Sequence, residues 1–297
     1  MAPGAAPRGR FAVKDVTYLA RHKGEVNACA FSADRRLLLT CSDDSRLFLW
    51  RAGTGQLLCK MRGHGGPVND CRFSPDGRLL ASASQDCTVR VWELATAACC
   101  RVLEGHRRSV ESVRFSPDGR QLLSGSWDST AILWDPQLGH MLRVFSGHRD
   151  AIQTCDFSSD AHCLATGSWD HTVRVWNLQS DIQDRILEGH RGNITCVCFS
   201  TLGMLASGSS DRSVRIWDPR SGVLVFLLEG HTCWVKSMSF SRNGLLLATA
   251  GYSEMVKVWN CETGECLETL EVMLDQASSC TFTPEGDLLL SGAVCQD

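Results

Sequence analysis

Residues 63–92 read GHGGPVNDCRFSPDGRLLASASQDCTVRVW, and the fold is decided by how this stretch is divided. Val68–Phe73 has strand character, Ser74-Pro75-Asp76-Gly77 makes a turn, and Leu79–Ala83 is a second strand. After Gln85-Asp86, Val89-Arg90-Val91-Trp92 alternates with period two, and Cys99–Leu103 supplies a fourth short strand before Gly105-His106. The unit then repeats. His22, His64, His106, His148, His190 and His231 are separated by 42, 42, 42, 42 and 41 residues. The shorter interval falls after Phe199, where Ser200-Thr201-Leu202-Gly203 is one residue shorter than Ser74–Arg78. Trp50, Trp92, Trp134, Trp176, Trp217 and Trp259 keep the same beat, each 14 residues before the next histidine position. Dividing 297 residues by 42 gives 7.07.

Helical-hairpin repeats of this length need uninterrupted segments of about 10 to 15 residues, but proline, glycine and aspartate punctuate this chain too often. A sheet of four short strands cannot bury both faces alone, so neighbouring sheets must stack, and closing them into a ring covers every face. The expected fold is all-β, a seven-bladed propeller. Gly63-His64, Ser82, Asp86 and Trp92-Glu93, with the fuller Trp134-Asp135 and Trp217-Asp218, resemble the WD-repeat family over almost the whole chain. The repeats fall at about 22–63, 64–105, 106–147, 148–189, 190–230 and 231–272.

The seventh unit departs from the pattern. Adding 42 to His231 gives Met273, and a further 28 places its tryptophan at 301, past Asp297. Cys280–Phe282 and Leu288–Ser291 supply two strands around the Thr283–Gly286 turn, while Val294–Asp297 is all that stands for a third. Phe11–Tyr18 can add an outer strand, so an incomplete seventh blade, 273–297, is expected to be closed by the N-terminal strand within 11–20, behind a flexible lead, 1–10. An exposed seam suited to strand addition would follow; a truncated isoform or incomplete gene model would leave the same ending.

Ten residues before each tryptophan lies a hydroxyl: Thr40, Ser82, Ser124, Thr166, Ser207 and Thr249. Six before it lies an aspartate in five repeats: Asp44, Asp86, Asp128, Asp170 and Asp211. Histidine, hydroxyl, carboxylate and indole N–H can satisfy one another as a buried chain. The resemblance implies structural tetrads: His22, Thr40, Asp44, Trp50; His64, Ser82, Asp86, Trp92; His106, Ser124, Asp128, Trp134; His148, Thr166, Asp170, Trp176; and His190, Ser207, Asp211, Trp217. The sixth repeat has Ser253 at the aspartate position, with Glu254 out of register, which predicts a weaker, more mobile turn. Serine, histidine and aspartate are also the parts of an acyl-transfer triad, but an enzyme needs one such site in one cavity and this chain has five copies. No phosphate-cradling glycine loop or HExxH motif is present, one histidine per blade suits no metal site, and no cofactor is implied.

A composition of 43% hydrophobic and 21% charged residues with a net charge of -3 excludes intrinsic disorder and any bulk attraction to nucleic acid or anionic membrane. Arg35-Arg36 and Arg107-Arg108 are short pairs on separate turns, too little for a basic stripe. No apolar run approaches about 18 residues and the start lacks a secretory signal, so a cytoplasmic location is expected, with the nucleus open. The 16 cysteines form no paired CxxC pattern; Cys29, Cys71, Cys155, Cys196 and Cys280, each just before a phenylalanine, are read as reduced core thiols. Cys99 and Cys100 could oxidise if exposed.

Positions that vary within a regular repeat are free of the shared packing task. Just before each turn aspartate position stand Asp43, Gln85, Trp127, Trp169, Ser210 and Tyr252, which the resemblance places around the central channel. Their companions on the innermost strands are Asn27, Asn69 with Asp70, Glu111, Gln153, Thr195 and Lys236, with Trp234 beside the last. The expectation is a peptide-binding face centred on Trp127 and Trp169, with Glu111, Asp70 and Gln153 offering acceptors and Tyr252, Lys236 and Trp234 nearby. Alternatively, both indoles simply pack over adjacent loops. Leu205–Arg220 also resembles the motif of substrate receptors in cullin-type ubiquitin ligases, its specific content being Asp218 and Arg220. The expected function is a non-catalytic protein-protein interaction scaffold, monomeric outside a complex; the ligase receptor is the alternative, and an enzyme or nucleic-acid binder the weakest reading.

Overall fold

A computed structural model describes residues 19, 21–179, 185–252, 255–271, 276–282 and 288–293. The chain forms six antiparallel four-stranded sheets, each built from strands consecutive in sequence. Blade one holds β1 (Val26–Phe31), β2 (Leu37–Ser42), β3 (Arg46–Arg51) and β4 (Gln56–Arg62). Blade two holds β5 (Val68–Phe73), β6 (Leu79–Ser84), β7 (Thr88–Glu93) and β8 (Ala98–Glu104). Blade three holds β9 (Val110–Phe115), β10 (Leu122–Ser126), β11 (Thr130–Trp134) and β12 (Met141–Ser146). Blade four holds β13 (Ile152–Phe157), β14 (Cys163–Ser168), β15 (Val173–Asn177) and β16 (Arg185–Leu187). Blade five holds β17 (Ile194–Phe199), β18 (Leu205–Ser209), β19 (Val214–Asp218) and β20 (Val223–Leu228). Blade six holds β21 (Val235–Phe240), β22 (Leu246–Gly251), β23 (Met255–Asn260) and β24 (Cys266–Glu271). A last pair, β25 (Gln276–Phe282) and β26 (Leu288–Ala293), is a sheet of two strands.

This corrects the seven-bladed expectation: the propeller has six blades. The β25–β26 pair packs against β21 and β22 on one side and β1 on the other, but it remains a two-stranded sheet and not a seventh blade closed by the N-terminus. Met273 stands at the position where the other six repeats have histidine. The expected closing strand Phe11–Tyr18, the Thr283–Gly286 turn and Val294–Asp297 lie outside the described residues.

The apolar core lies between blades. One cluster joins Leu39, Leu47 and Met61 of blade one to Val68, Leu80 and Trp92 of blade two; another joins Ile216 and Leu228 of blade five to Leu247 and Trp259 of blade six. Cys280 of β25 covers Ala248, Ala250 and Val256 of blade six. Each fully buried Leu or Val contributes about 1.5–3 kcal/mol, and it does so only when the neighbouring blade is in place.

Two local devices position the upper rim. The first is a β-bulge near the start of every innermost strand: the β1–β2 register jumps between Val26 and Ala28, and the same step recurs around Asn69, Glu111, Gln153, Thr195 and Lys236. A bulged residue leaves the regular alternation, so these six side chains are re-aimed together at the channel mouth. The second is the turn between the second and third strands, where Ser45, Cys87, Ser129, His171 and Arg212 take positive φ between 63° and 71°. Left-handed backbone at a non-glycine residue costs about 1–2 kcal/mol, and each of these follows a turn aspartate whose carboxylate binds the chain on both sides. Among the described residues, no helix is long and apolar enough to cross a membrane.

Candidate functional site

The repeated polar residues meet in each blade with the same polarity. An indole N–H can only donate, so Trp92 Nε1 donates to Ser82 Oγ (2.9 Å), Ser82 Oγ donates to His64 Nε2 (2.7 Å), and His64 Nδ1 donates to Asp86 (2.8 Å). Asp86 also accepts Gly65 N–H, Thr88 N–H and the Thr88 hydroxyl at 2.9, 3.0 and 2.7 Å. The same chain runs through Trp50, Thr40, His22 and Asp44, and through Trp134, Ser124, His106 and Asp128. It recurs through Trp176, Thr166, His148 and Asp170, and through Trp217, Ser207, His190 and Asp211. Burial alone would raise the Asp86, Asp128, Asp170 and Asp211 carboxyls, but hydrogen bonds from the histidine, the turn hydroxyl and backbone amides hold all four well below the usual carboxylate range.

In blade six Trp259 and His231 meet Thr249 at 2.8 and 2.7 Å, but His231 Nδ1 is buried with no hydrogen-bond partner among the described residues. Burial, helped by the charge of Lys257, pushes the His231 imidazole down to about 4. Ser253 and Glu254, on which the mobile-turn expectation falls, lie outside the described residues. None of these sets is a nucleophile site: the Ser82, Ser124 and Ser207 hydroxyls are fully buried between an indole and an imidazole, where no substrate can reach. Among the described residues no three His, Cys, Asp or Glu side chains are grouped to hold a metal ion.

The channel mouth is where residues vary. Trp127 and Trp169 pack on each other, ring centroids 5.4 Å apart and tilted by 49°; Trp127 is 36% exposed and Trp169 half-buried. Their turns are pinned by Trp127 N–H to Ser109 O and Trp169 N–H to Ala151 O. Beside them Glu111 accepts Ser109 Oγ at 2.6 Å, Asn69 Nδ2 at 3.0 Å and, on its other oxygen, Gln153 Nε2 at 3.2 Å. Burial, reinforced by Asp70, raises its carboxyl above the ordinary range. Three donors leave Glu111 Oε2 with acceptor capacity to spare.

Asp70, grouped with these acceptors in the sequence reading, lies deeper and is committed elsewhere. One oxygen binds Arg114 and Val113 N–H, the other Cys71 N–H and, at 3.4 Å, Arg72. Burial opposes the charges of Asp70 and Arg114, but their pairing outweighs it, lowering the Asp70 carboxyl and raising the Arg114 guanidinium. Asp156, raised by burial, faces the same arginine and accepts Phe199 N–H at 2.8 Å. Sequence reasoning missed this interblade network; its signal was charge at inner-strand positions that other repeats fill with Ala, Ser, Thr or Cys. The channel cavity, about 630 Å³, is therefore lined unevenly: Asp70, Arg72, Arg114 and Asp156 on blades two to four, but Ala28, Ala30, Cys196 and Ser237 on blades one, five and six.

Across the mouth, Trp234 and Tyr252 stand edge to face at 6.0 Å, 54% and 41% exposed, and Lys236 Nζ lies 5.0 Å from the Tyr252 ring centre. On the underside, Asp218 caps its own turn by accepting Arg220 N–H and the Ser221 hydroxyl, while Arg220 is exposed.

A ring of WD-type repeats with a polar network in each blade is what the comparisons also find. Residues 25–201 match the family described as IFT122 first beta-propeller, and residues 222–260 match the WD domain, G-beta repeat. The first match spans more than half of the chain, which belongs to that family of WD-repeat beta-propellers. The chain is also similar to WD repeat-containing protein 38 of Mus musculus, 52% identical over 54 residues, which is 18% of each chain. The counterpart from Homo sapiens is 56% identical over 52 residues, 18% of this chain and 17% of that one. Each of these likenesses thus spans under a fifth of the relative's length.

Proposed function

We propose that this propeller is a non-catalytic interaction scaffold that holds an extended peptide across its channel mouth. The carrying observation is the Trp127–Trp169 pair, two indoles in tilted contact at a rim with Trp127 exposed and the free lone pair of Glu111 beside them. Aromatic anchors at such a rim bury large area for few rotatable bonds, and each costs about 2 kcal/mol of binding or more when truncated. The pair packs indole on indole, leaving one face of Trp127 for a partner, and Glu111 favours a basic or polar residue next to it. The test is partner capture by proximity labelling in cells, comparing the native chain with Trp127→Ala/Trp169→Ala. Loss of partners with an unchanged melting temperature is expected, and undiminished capture would remove this face. The likeness to WD repeat-containing protein 38 supports a common type of scaffold and names no partner. A monomer in the cytoplasm fits this role. Adaptor binding as a ligase receptor would rest on Arg220 alone, since the Asp218 carboxylate is engaged within its turn; Arg220→Ala in an adaptor pull-down tests it.

A further inference from the structure

The far side of the mouth has the opposite chemistry. Arg212, Thr232, Cys233, Trp234 and Tyr252 line a surface cavity of about 550 Å³ to which, among the described residues, no carboxylate contributes. Lys236, re-aimed by its bulge, covers Tyr252 from the channel side, and Arg212 lines the same surface cavity as Trp234 and Tyr252, so both cations border the exposed aromatic pair. Among the described residues neither Lys236 nor Arg212 forms a salt bridge. The nearest turn carboxylate, Asp211, is saturated by His190, Arg191 N–H and Ser213. The adjoining blade has Ser253 in sequence where the other five have aspartate, with Glu254 one residue later, so the turn aspartate that the other five repeats share is absent from this one. Glu111 is on blade three and Lys236 on blade six, at equivalent bulge positions half a ring apart.

We infer that this corner is a docking site for an acidic side chain in an extended peptide, the carboxylate lying between Lys236 and Arg212 and an adjacent apolar or aromatic residue covering Trp234. Complementary charge selects the occupant: two unneutralised cations border an apolar surface, and a peptide acid desolvated against aromatic rings forms charge-assisted hydrogen bonds that water screens poorly. The inference rests on the peptide-binding reading above and gives the peptide a direction, with its acidic part at blade six and its basic or polar part at blade three.

The test is an array of extended peptides carrying a Glu-Phe or Glu-Trp pair, with Gln, Lys and phosphoserine analogues at the acidic position, probed with the full chain at two salt concentrations. Glu peptides should bind about tenfold or more above their Gln analogues, with the margin shrinking at high salt. Lys236→Glu and Arg212→Glu should each abolish the preference, and Lys236→Glu should favour the Lys analogue, a gain that misfolding cannot produce. Trp127→Ala/Trp169→Ala should weaken all peptides while keeping the Glu-over-Gln ratio. Failure of the blade-three reading alone would leave that ratio and all affinities untouched. Equal binding of Glu and Gln, binding of phosphoserine peptides only, a preference that survives Lys236→Glu, or no peptide bound would overturn the assignment.

Discussion

Lowering the pH from 7 to 5 should draw a loss of stability from His231. Its imidazole is buried, its Nδ1 has no acceptor among the described residues, and its ionisation is pushed from 6.5 down to about 4. The unfolded chain therefore takes up a proton near pH 6.5, whereas the folded chain resists until about 4. Stability is fully present above that upper value and is lost as pH falls between the two. Each pH unit inside the window costs about 1.4 kcal/mol, or about 2 kcal/mol by pH 5. Other groups titrate in this range, so the informative measurement is a difference. Ser253→Asp places a carboxylate where five other repeats carry one and should give His231 an acceptor, raising its ionisation and flattening the pH dependence. Urea melts of both proteins at pH 7, 6 and 5 would show the curves diverging as pH falls, with the variant also more stable at pH 7 by about 1 kcal/mol. Parallel curves would refute the claim that an unsatisfied imidazole governs this window.

Asp128→Ala removes the acceptor of His106, Arg107 N–H, Thr130 N–H and the Thr130 hydroxyl, leaves a buried imidazole N–H orphaned, and should cost about 3–5 kcal/mol in a chemical melt. At lower pH the four depressed carboxyls Asp86, Asp128, Asp170 and Asp211 act in concert: stability present above their ordinary 3.8 is lost as pH falls below it, so acid unfolding should begin steeply there, read by far-ultraviolet circular dichroism. Gly251→Ala would drive its Cβ into the Trp234 carbonyl, a backbone atom that cannot rotate away. It should cost about 1–3 kcal/mol and disturb the Trp234 fluorescence more than that of blade three, as single-tryptophan variants would show.

How far the residues alone disclosed this molecule depends on whether the relevant contact is within a repeat or between repeats. His64, Ser82, Asp86 and Trp92 lie within 28 residues of one another and recur, so their spacing could be counted, and the expected Val68–Phe73 strand is β5. The blade count failed because length was divided evenly: strands were visible in the last repeat, but among the described residues two of them pair and form no four-stranded blade. Asp70 was taken as a free acceptor although Arg72, two residues on, also reaches it; its main partner, Arg114, is 44 residues away and arrives only when the next blade docks. Cys196 looked equivalent to Cys71 through its closeness to a phenylalanine, but pairing opposite Gly208 sets it one residue earlier, with its side chain at the channel, where Asp70 stands in blade two. The aromatic rim positions were legible because variation against a strict repeat is itself a signal.

The uneven lining of the channel bears on a difficulty that any wheel built from near-copies must meet. A partner reading only what the repeats share would find six rotated poses of nearly equal energy and would sit in all of them. Confining it to one pose in a hundred takes a difference of about 2.8 kcal/mol, about what one or two well-made ionic contacts supply. Below the mouth, the arc formed by Asp70, Arg114 and Asp156 is charged and the residues facing it, Ala28, Ala30, Cys196 and Ser237, are small and neutral, so the hub is keyed like a shaft with a flat ground on one side. Repetition builds the wheel; the broken symmetry at its centre would let it be gripped at a single angle.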